Sequence, residues 1–135
     1  MNFKIITPQG VISNTKENRI SLVSQEGSLE LLPNHQNYIA LLKEGPIFVD
    51  RKGALCCFYI ISNGILYFEN SSNSCEVVTN FAINISDAIS LKIEGLHNIS
   101  SNFKCQEEIL FYEAVKNYLS SKKPINKNIP PATEL

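Results

Sequence analysis

Arg19-Ile20-Ser21-Leu22-Val23, Glu26-Gly27, Ser28-Leu29-Glu30-Leu31-Leu32 and Pro33-Asn34 follow one another with little between them, and this stretch decides the fold class. Ile20 and Leu22 fall on one face of an extended chain, and Arg19 and Ser21 on the other. That alternation is the pattern of a half-buried strand. Glu26-Gly27 turns the chain and Ser28 to Leu32 continues it. Pro33 then breaks the ladder, because proline has no N–H to donate.

The same grammar extends in both directions. Toward the N-terminus, Phe3 to Ile6 is apolar and ends at Thr7-Pro8-Gln9-Gly10, where Pro fixes φ and Gly accepts a positive one; Val11-Ile12 resumes. Toward the C-terminus, Tyr38 to Leu42 is closed by Glu44-Gly45-Pro46. Ile47 to Val49 and Leu55 to Ile61 lie around an Asp50-Arg51-Lys52-Gly53 turn. Leu55 to Ile61 is apolar on both faces, which predicts a central strand covered on each side. Asn63-Gly64 predicts a two-residue hairpin turn. Ile65 to Phe68 and Glu76 to Thr79 flank a polar tip, Asn70-Ser71-Ser72-Asn73. Many short strands with Gly and Pro turns predict a mainly β chain: an antiparallel two-sheet β-sandwich over residues 1–85.

A C-terminal α-helical region is expected over 86–135. Ser86 to Leu96 fits both periods, with Ile89, Ile93 and Leu96 on a helix face or Ile89, Leu91 and Ile93 on a strand. Asn98 to Asn102 reads as a polar linker. Lys104 to Ser120 is the clearest helix: Ile109, Tyr112, Val115 and Leu119 make an apolar stripe, with Glu107, Glu108, Glu113, Lys116 and Asn117 largely away from it. Pro124 sets its end, and a proline-containing tail follows.

Composition bounds the function. Hydrophobic residues at 44% against 19% charged support a folded core, and a formal net charge of -1 shows no bulk attraction to nucleic acid. Lys122, Lys123 and Lys127 are too few for a nucleic-acid arm. No apolar run approaches the roughly 20 residues of a membrane span, and the first residues lack the regions of a signal peptide, so a cytosolic chain without membrane insertion is expected. Cys56 and Cys57 are adjacent, Cys75 and Cys105 stand alone, and no C-x-x-C pair suggests a metal site; small buried hydrophobes are the expectation. His35 sits in a turn beside Asn34 and Gln36, without a nucleophile pattern, and His97 falls in the linker. No glycine-rich phosphate loop is present. The residues themselves predict no catalytic, cofactor or metal site, and stop at a binding or structural protein.

Four motifs carry a resemblance further. Phe3-Lys4-Ile5-Ile6-Thr7-Pro8-Gln9-Gly10 ends in T-P-x-G. Gly27-Ser28-Leu29-Glu30-Leu31-Leu32-Pro33-Asn34-His35 is similar to G-x-[FL]-x-[IL]-L-P-x-H. Leu42-Lys43-Glu44-Gly45 matches L-x-x-G, and Phe58 to Leu66 matches F-x-x-x-G-G-[FI]-L with Asn63 in place of the first Gly. In this order and spacing, over residues 3 to 85, they resemble the epsilon-subunit family of F-type ATP synthases. Asn63 is expected to keep that corner because Asn tolerates positive φ.

The resemblance implies a non-catalytic central-rotor subunit that couples c-ring rotation to ATP synthesis and hydrolysis. It would sit between the gamma subunit and the c-ring, peripheral on the cytoplasmic side of the cell inner membrane. It further implies that Gly27, Ser28, Leu29, Pro33, Asn34 and His35 mark a ring-facing end. An apolar side of the sandwich, suggested by Leu55 to Ile61, would meet gamma. The tail departs from the family: where [IL]-D-x-x-R-A is common, the chain has Ala88-Ile89-Ser90-Leu91-Lys92-Ile93, and an Ala-rich second helix is missing. Tight ATP binding and inhibition by an extended helix between the alpha and beta subunits are therefore not expected, although the C-terminal region could still touch those subunits. The helix is expected to fold back over the sandwich. Asn37-Tyr38-Ile39-Ala40 is more similar to the N-type ion-pumping ATPase epsilon subunits, which stay open as an alternative, as does a free-standing β-sandwich binding module.

Overall fold

A computed structural model describes residues 1–94 and 106–121. The expected linker with His97, together with Cys105 and the lysine- and proline-containing tail, lies outside the described residues.

Ten strands precede two helices: β1 (Asn2–Thr7), β2 (Gly10–Lys16), β3 (Ile20–Ser24), β4 (Gly27–Leu31), β5 (Tyr38–Leu42), β6 (Gly45–Arg51), β7 (Ala54–Ile61), β8 (Gly64–Glu69), β9 (Ser74–Thr79), β10 (Ala82–Asn84), α1 (Ile85–Glu94) and α2 (Gln106–Ser121). The pairing order β2-β1-β9-β8-β5 forms one five-stranded layer and β4-β3-β6-β7-β10 the other. They join at a single corner, where Ser24 of β3 pairs with Leu42 of β5. One pairing departs from the antiparallel expectation: β1 runs parallel to β9, with Phe3 opposite Cys75 and Ile5 opposite Val77.

The period-2 alternation places one face of each layer inward. Phe3, Ile5, Leu42, Leu66, Phe68 and Val77 from the first layer meet Ile20, Leu22, Leu31, Ile47, Val49 and Ile61 from the second in one buried core. A fully buried side chain of this size contributes about 1.5–3 kcal/mol, so this interdigitation is the main source of the sandwich's stability.

β7 is covered on both sides, as its sequence predicts. A bulge allows this: Phe48 pairs with Cys57 and Ile47 with Tyr59, which leaves Phe58 extra. Leu55, Cys57 and Ile60 therefore point outward, while Phe58, Tyr59 and Ile61 face the core. The outward face is closed by Ala88 of α1 and by Phe111, Val115 and Leu119 of α2. The helix thus folds back over the sandwich, but its stripe runs through Phe111 rather than Ile109, which is only half-buried.

α1 resolves the ambiguous segment as helix. Asn84 caps it, its Oδ1 accepting the Asp87 N–H at 2.8 Å while its Nδ2 donates to Asp87 Oδ2 at 3.0 Å. Among the described side chains of this helix Ala88 is buried and Ile89 is exposed, so Ile89 does not lie on the packed face. The hairpin expected at Asn63-Gly64 is a crossing between layers, because β7 pairs with β6 and β10 while β8 pairs with β5 and β9. Asn63 does not have a positive φ. Gly64 is demanded by space: a Cβ there would lie 2.4 Å from the Val78 carbonyl oxygen.

Candidate partner-binding surfaces

With the second layer roofed by helices, the outer face of the first layer stands open among the described residues. Its cross-strand register aligns Leu41 with Ile65, Ile65 with Val78, Val78 with Ile6 and Ile6 with Val11. Leu41 is 60% exposed and Ile39, in the adjacent row beside Tyr67, is 66% exposed. The second row turns charged at Glu76 and Lys4. An apolar band bordered by charge is the signature of a protein-binding surface. The outer side of Leu55 to Ile61, expected from the sequence to expose apolar groups, is instead covered by α1 and α2. Reading strand by strand could have found the band: Ile39, Leu41, Ile65, Tyr67 and Val78 sit at out-facing positions where water should select polar residues.

The six residues marked as a ring-facing end do not gather at one end. Gly27 lies at the β3–β4 turn, and Pro33, Asn34 and His35 lie beyond the far end of β4. About 13 Å of extended strand separates Gly27 from Leu31. What they share is the free edge of the second layer, since β4 pairs only with β3. Ser28 and Glu30 point to solvent, and Glu30 pairs with Arg19 at 3.7 Å. Leu29 turns inward against the core, so its side chain is a packing group and not a surface contact.

The Pro33-Asn34-His35 turn is locked to the β8–β9 tip. Asn70 Nδ2 donates to the carbonyl oxygens of Asn34 and His35, each at 3.0 Å. The Asn34 N–H donates to Asn73 Oδ1 at 2.7 Å, and the Asn70 N–H to Asn37 Oδ1 at 2.8 Å. His35 Nδ1 lies 2.7 Å from the Gln36 carbonyl oxygen, so that nitrogen carries the donated proton. The ring packs against Tyr38 and Phe68, with centroids 5.7 and 5.5 Å away. His35 is thereby a turn-building residue.

Two of the described thiols, Cys57 and Cys75, are buried. Burial, followed by the neighbouring Cys56, pushes Cys57 up to about 12, and burial followed by Glu76 does the same for Cys75. Neither presents the thiolate that nucleophilic or metal chemistry requires.

A closed sandwich with a helical roof on one side and an open apolar band on the other defines a protein-binding scaffold. Residues 1–85 match the family model of the ATP synthase delta/epsilon chain beta-sandwich domain. The ATP synthase epsilon chain of Rickettsia bellii (strain OSU 85-389) is 31% identical over 97 residues, covering 70% of this chain and 88% of that protein. The epsilon chain of Campylobacter concisus is 40% identical over 52 residues, 38% of this chain and 40% of that one. In fold, the chain is similar to a component of the Euglena gracilis mitochondrial ATP synthase OSCP/F1/c-ring assembly, with TM-score 0.59 and 14% identity over 89% of this chain and 80% of that one. A component of the Tetrahymena thermophila central stalk and c-ring gives TM-score 0.52 at 14% identity, over 86% of this chain and 96% of that one. The chain belongs to the delta/epsilon family of ATP synthase subunits, as an epsilon-type chain.

Proposed function

We propose that the protein is a non-catalytic coupling element of the central rotor, with the sandwich of residues 1–85 as its binding unit and residues 86–135 as a C-terminal region whose helix α2 packs back on the sandwich. The open band around Leu41, Ile65 and Val78 takes the gamma subunit. The β4 edge and the Pro33-Asn34-His35 turn take the c-ring, with Ser28 rather than Leu29 as the outward contact on the strand. The observation that carries this is the asymmetry of the two layers: one outer face is closed by the chain's own helices, and the other is apolar and uncovered by any of the described residues. The names of the fold neighbours, a c-ring assembly and a central stalk, support the choice of partners.

Torque transfer needs a stiff body, and a close-packed core between two layers resists deformation. On this reading the complex sits at the cytoplasmic side of the cell inner membrane, and the chain itself only docks there. Among the described residues no helix is long and apolar enough to cross a membrane. The tail neither binds ATP tightly nor inhibits the complex. Its roofing stripe, Phe111, Val115 and Leu119, is committed to the sandwich.

Co-purification tests the assignment: a tagged chain brings down gamma and c-ring subunits. Ile65→Asp, at a solvent-facing position, removes gamma while leaving the isolated chain folded. A chain that captures neither partner, or an Ile65→Asp chain that assembles and couples normally, refutes the placement. Truncation before Gln106 leaves the ATPase rate of the reconstituted complex unchanged if the tail is only a roof; a large rise would make it regulatory.

A further inference from the structure

Asn70 lies on the exposed tip between β8 and β9, 35 and 36 positions along the chain from the two carbonyl groups it binds. Both protons of its amide are spent on the Pro33-Asn34-His35 turn, and its backbone N–H is held by Asn37. The return bond runs from the Asn34 N–H to Asn73 Oδ1. Asn34 and Asn73 both have positive φ, 66° and 49°, a conformation that Asn tolerates better than most side-chain-bearing residues and that the turn geometry uses here. The Asn73 carbonyl is fixed in turn by the Asn2 N–H at 3.0 Å.

This clasp is in an unusual place for a stabilising device. Asn34, Asn37 and Asn70 are exposed, and bonds formed in water contribute little net stability because water competes for both partners. Exposed turns are ordinarily the mobile parts of a fold. What four cross-loop bonds achieve there is a single conformation before binding, which removes the ordering cost from association.

We propose that Asn70 is a positioning residue that holds the Pro33-Asn34-His35 turn in its docking form, and that the β8–β9 tip with Ser71 and Ser72 completes the c-ring-facing surface. The inference rests on the reading that this turn faces the ring. The tip and the turn together present mainly amide and hydroxyl groups, with the Glu69 carboxylate bonded to Ser72 at 2.7 Å and Leu32 exposed beside them, a surface suited to the polar loop groups of a neighbouring subunit.

Two isosteric, equally charged substitutions separate positioning from other effects. Asn70→Asp deletes both donated bonds and sets a carboxylate against two carbonyls. Asn73→Asp keeps the acceptor that Asn34 uses. Each full-length chain is bound to gamma and titrated with detergent-solubilised c-ring, and amide hydrogen exchange of the free chain is followed at Asn34 to Gln36. Asn70→Asp raises exchange there and weakens ring binding about tenfold more than Asn73→Asp, which adds the same charge to the tip but leaves exchange near wild type; gamma binding is unchanged in both. Ring binding by Asn70→Asp at wild-type strength, or an equal loss in Asn73→Asp, overturns the inference. Leu32→Glu, at an exposed position of the same turn, distinguishes the two levels of failure. If it weakens the ring contact while Asn70→Asp does not, positioning alone is wrong. If neither matters, the turn does not face the ring and both readings fall.

Discussion

Arg51 grips Glu17 with both arms of its guanidinium, Nη1 to Oε1 at 2.6 Å and Nη2 to Oε2 at 3.2 Å, across the seam between the two layers. The carboxylate end is buried, its side chain 1% exposed, and the guanidinium end is 48% exposed and lies over the Phe58 ring. Thr15 Oγ1 adds a third donor at 2.7 Å, and the backbone of Glu17 is bonded to Met1 in both directions.

Arg51→Ala strands a desolvated carboxylate. The expected loss is about 2 kcal/mol, between the small value of exposed pairs and the 3–5 kcal/mol of fully buried ones. Arg51→Lys recovers part of it, because a point charge cannot reproduce the two-armed geometry. Urea unfolding midpoints measure both; an unchanged midpoint for Arg51→Ala would show the clasp to be ornamental.

Gly64→Ala places a methyl group into the Val78 carbonyl and against Thr79 Cβ, 2.4 and 3.1 Å away. Strand β8 must shift outward or β9 must yield. A destabilisation of about 1–3 kcal/mol is expected from such overpacking, read as a drop in thermal midpoint. A neutral substitution would mean that the layer crossing is more pliable than its geometry indicates.

Alkali provides a pH test. Cys57 and Cys75 hold their protons to about 12, against an ordinary 9.0. Below pH 9 both the folded and unfolded chains carry neutral thiols, and the contribution is full. Above it the unfolded chain releases protons that the folded chain keeps, so stability falls between about pH 9 and 12. Each thiol contributes a slope on the order of 1 kcal/mol per pH unit. Tyr112, raised by burial first and by Glu108 and Asp87 after it, acts in the same direction. Stability measured across that window in a Cys57→Ala/Cys75→Ala chain should be flatter.

Val115→Asp introduces a charge into the seam between α2 and the sandwich, where Val115 is 1% exposed. The helix lifts while the inner core persists, because Val115 shares no cluster with it. Cys57, beneath the helix, then reacts with a maleimide at pH 8 in a Cys56→Ser/Cys105→Ser background, whereas the parent chain stays protected. Continued protection of Cys57 would show that other groups seal that face.

The strands were legible because alternation at Ile20 and Leu22 and the turn residues Pro33, Gly45 and Gly53 act locally. The position of the open face was not, because it depends on which layer the helices choose, and Leu55 to Ile61 looked equally apolar on both sides. Phe111 escaped for a related reason: the tail carries more apolar residues than one face can bury, and only the docked partner selects among Ile109, Leu110 and Phe111. The turn at His35 was recognised, but its clasp was not. Asn70 and Asn73 read simply as a polar tip, and the bonds that give them meaning span more than 30 residues of chain.

The parallel seam of β1 with β9 has a consequence for how the chain is made. Phe3 cannot find Cys75, nor Ile5 Val77, until more than half of the chain has left the ribosome. Such distant pairing slows folding, and until it forms the N-terminal hairpin displays core side chains to the cell. A nascent chain stalled before Ser74 should be a chaperone client, whereas one released after Asn84 should be able to close its sandwich.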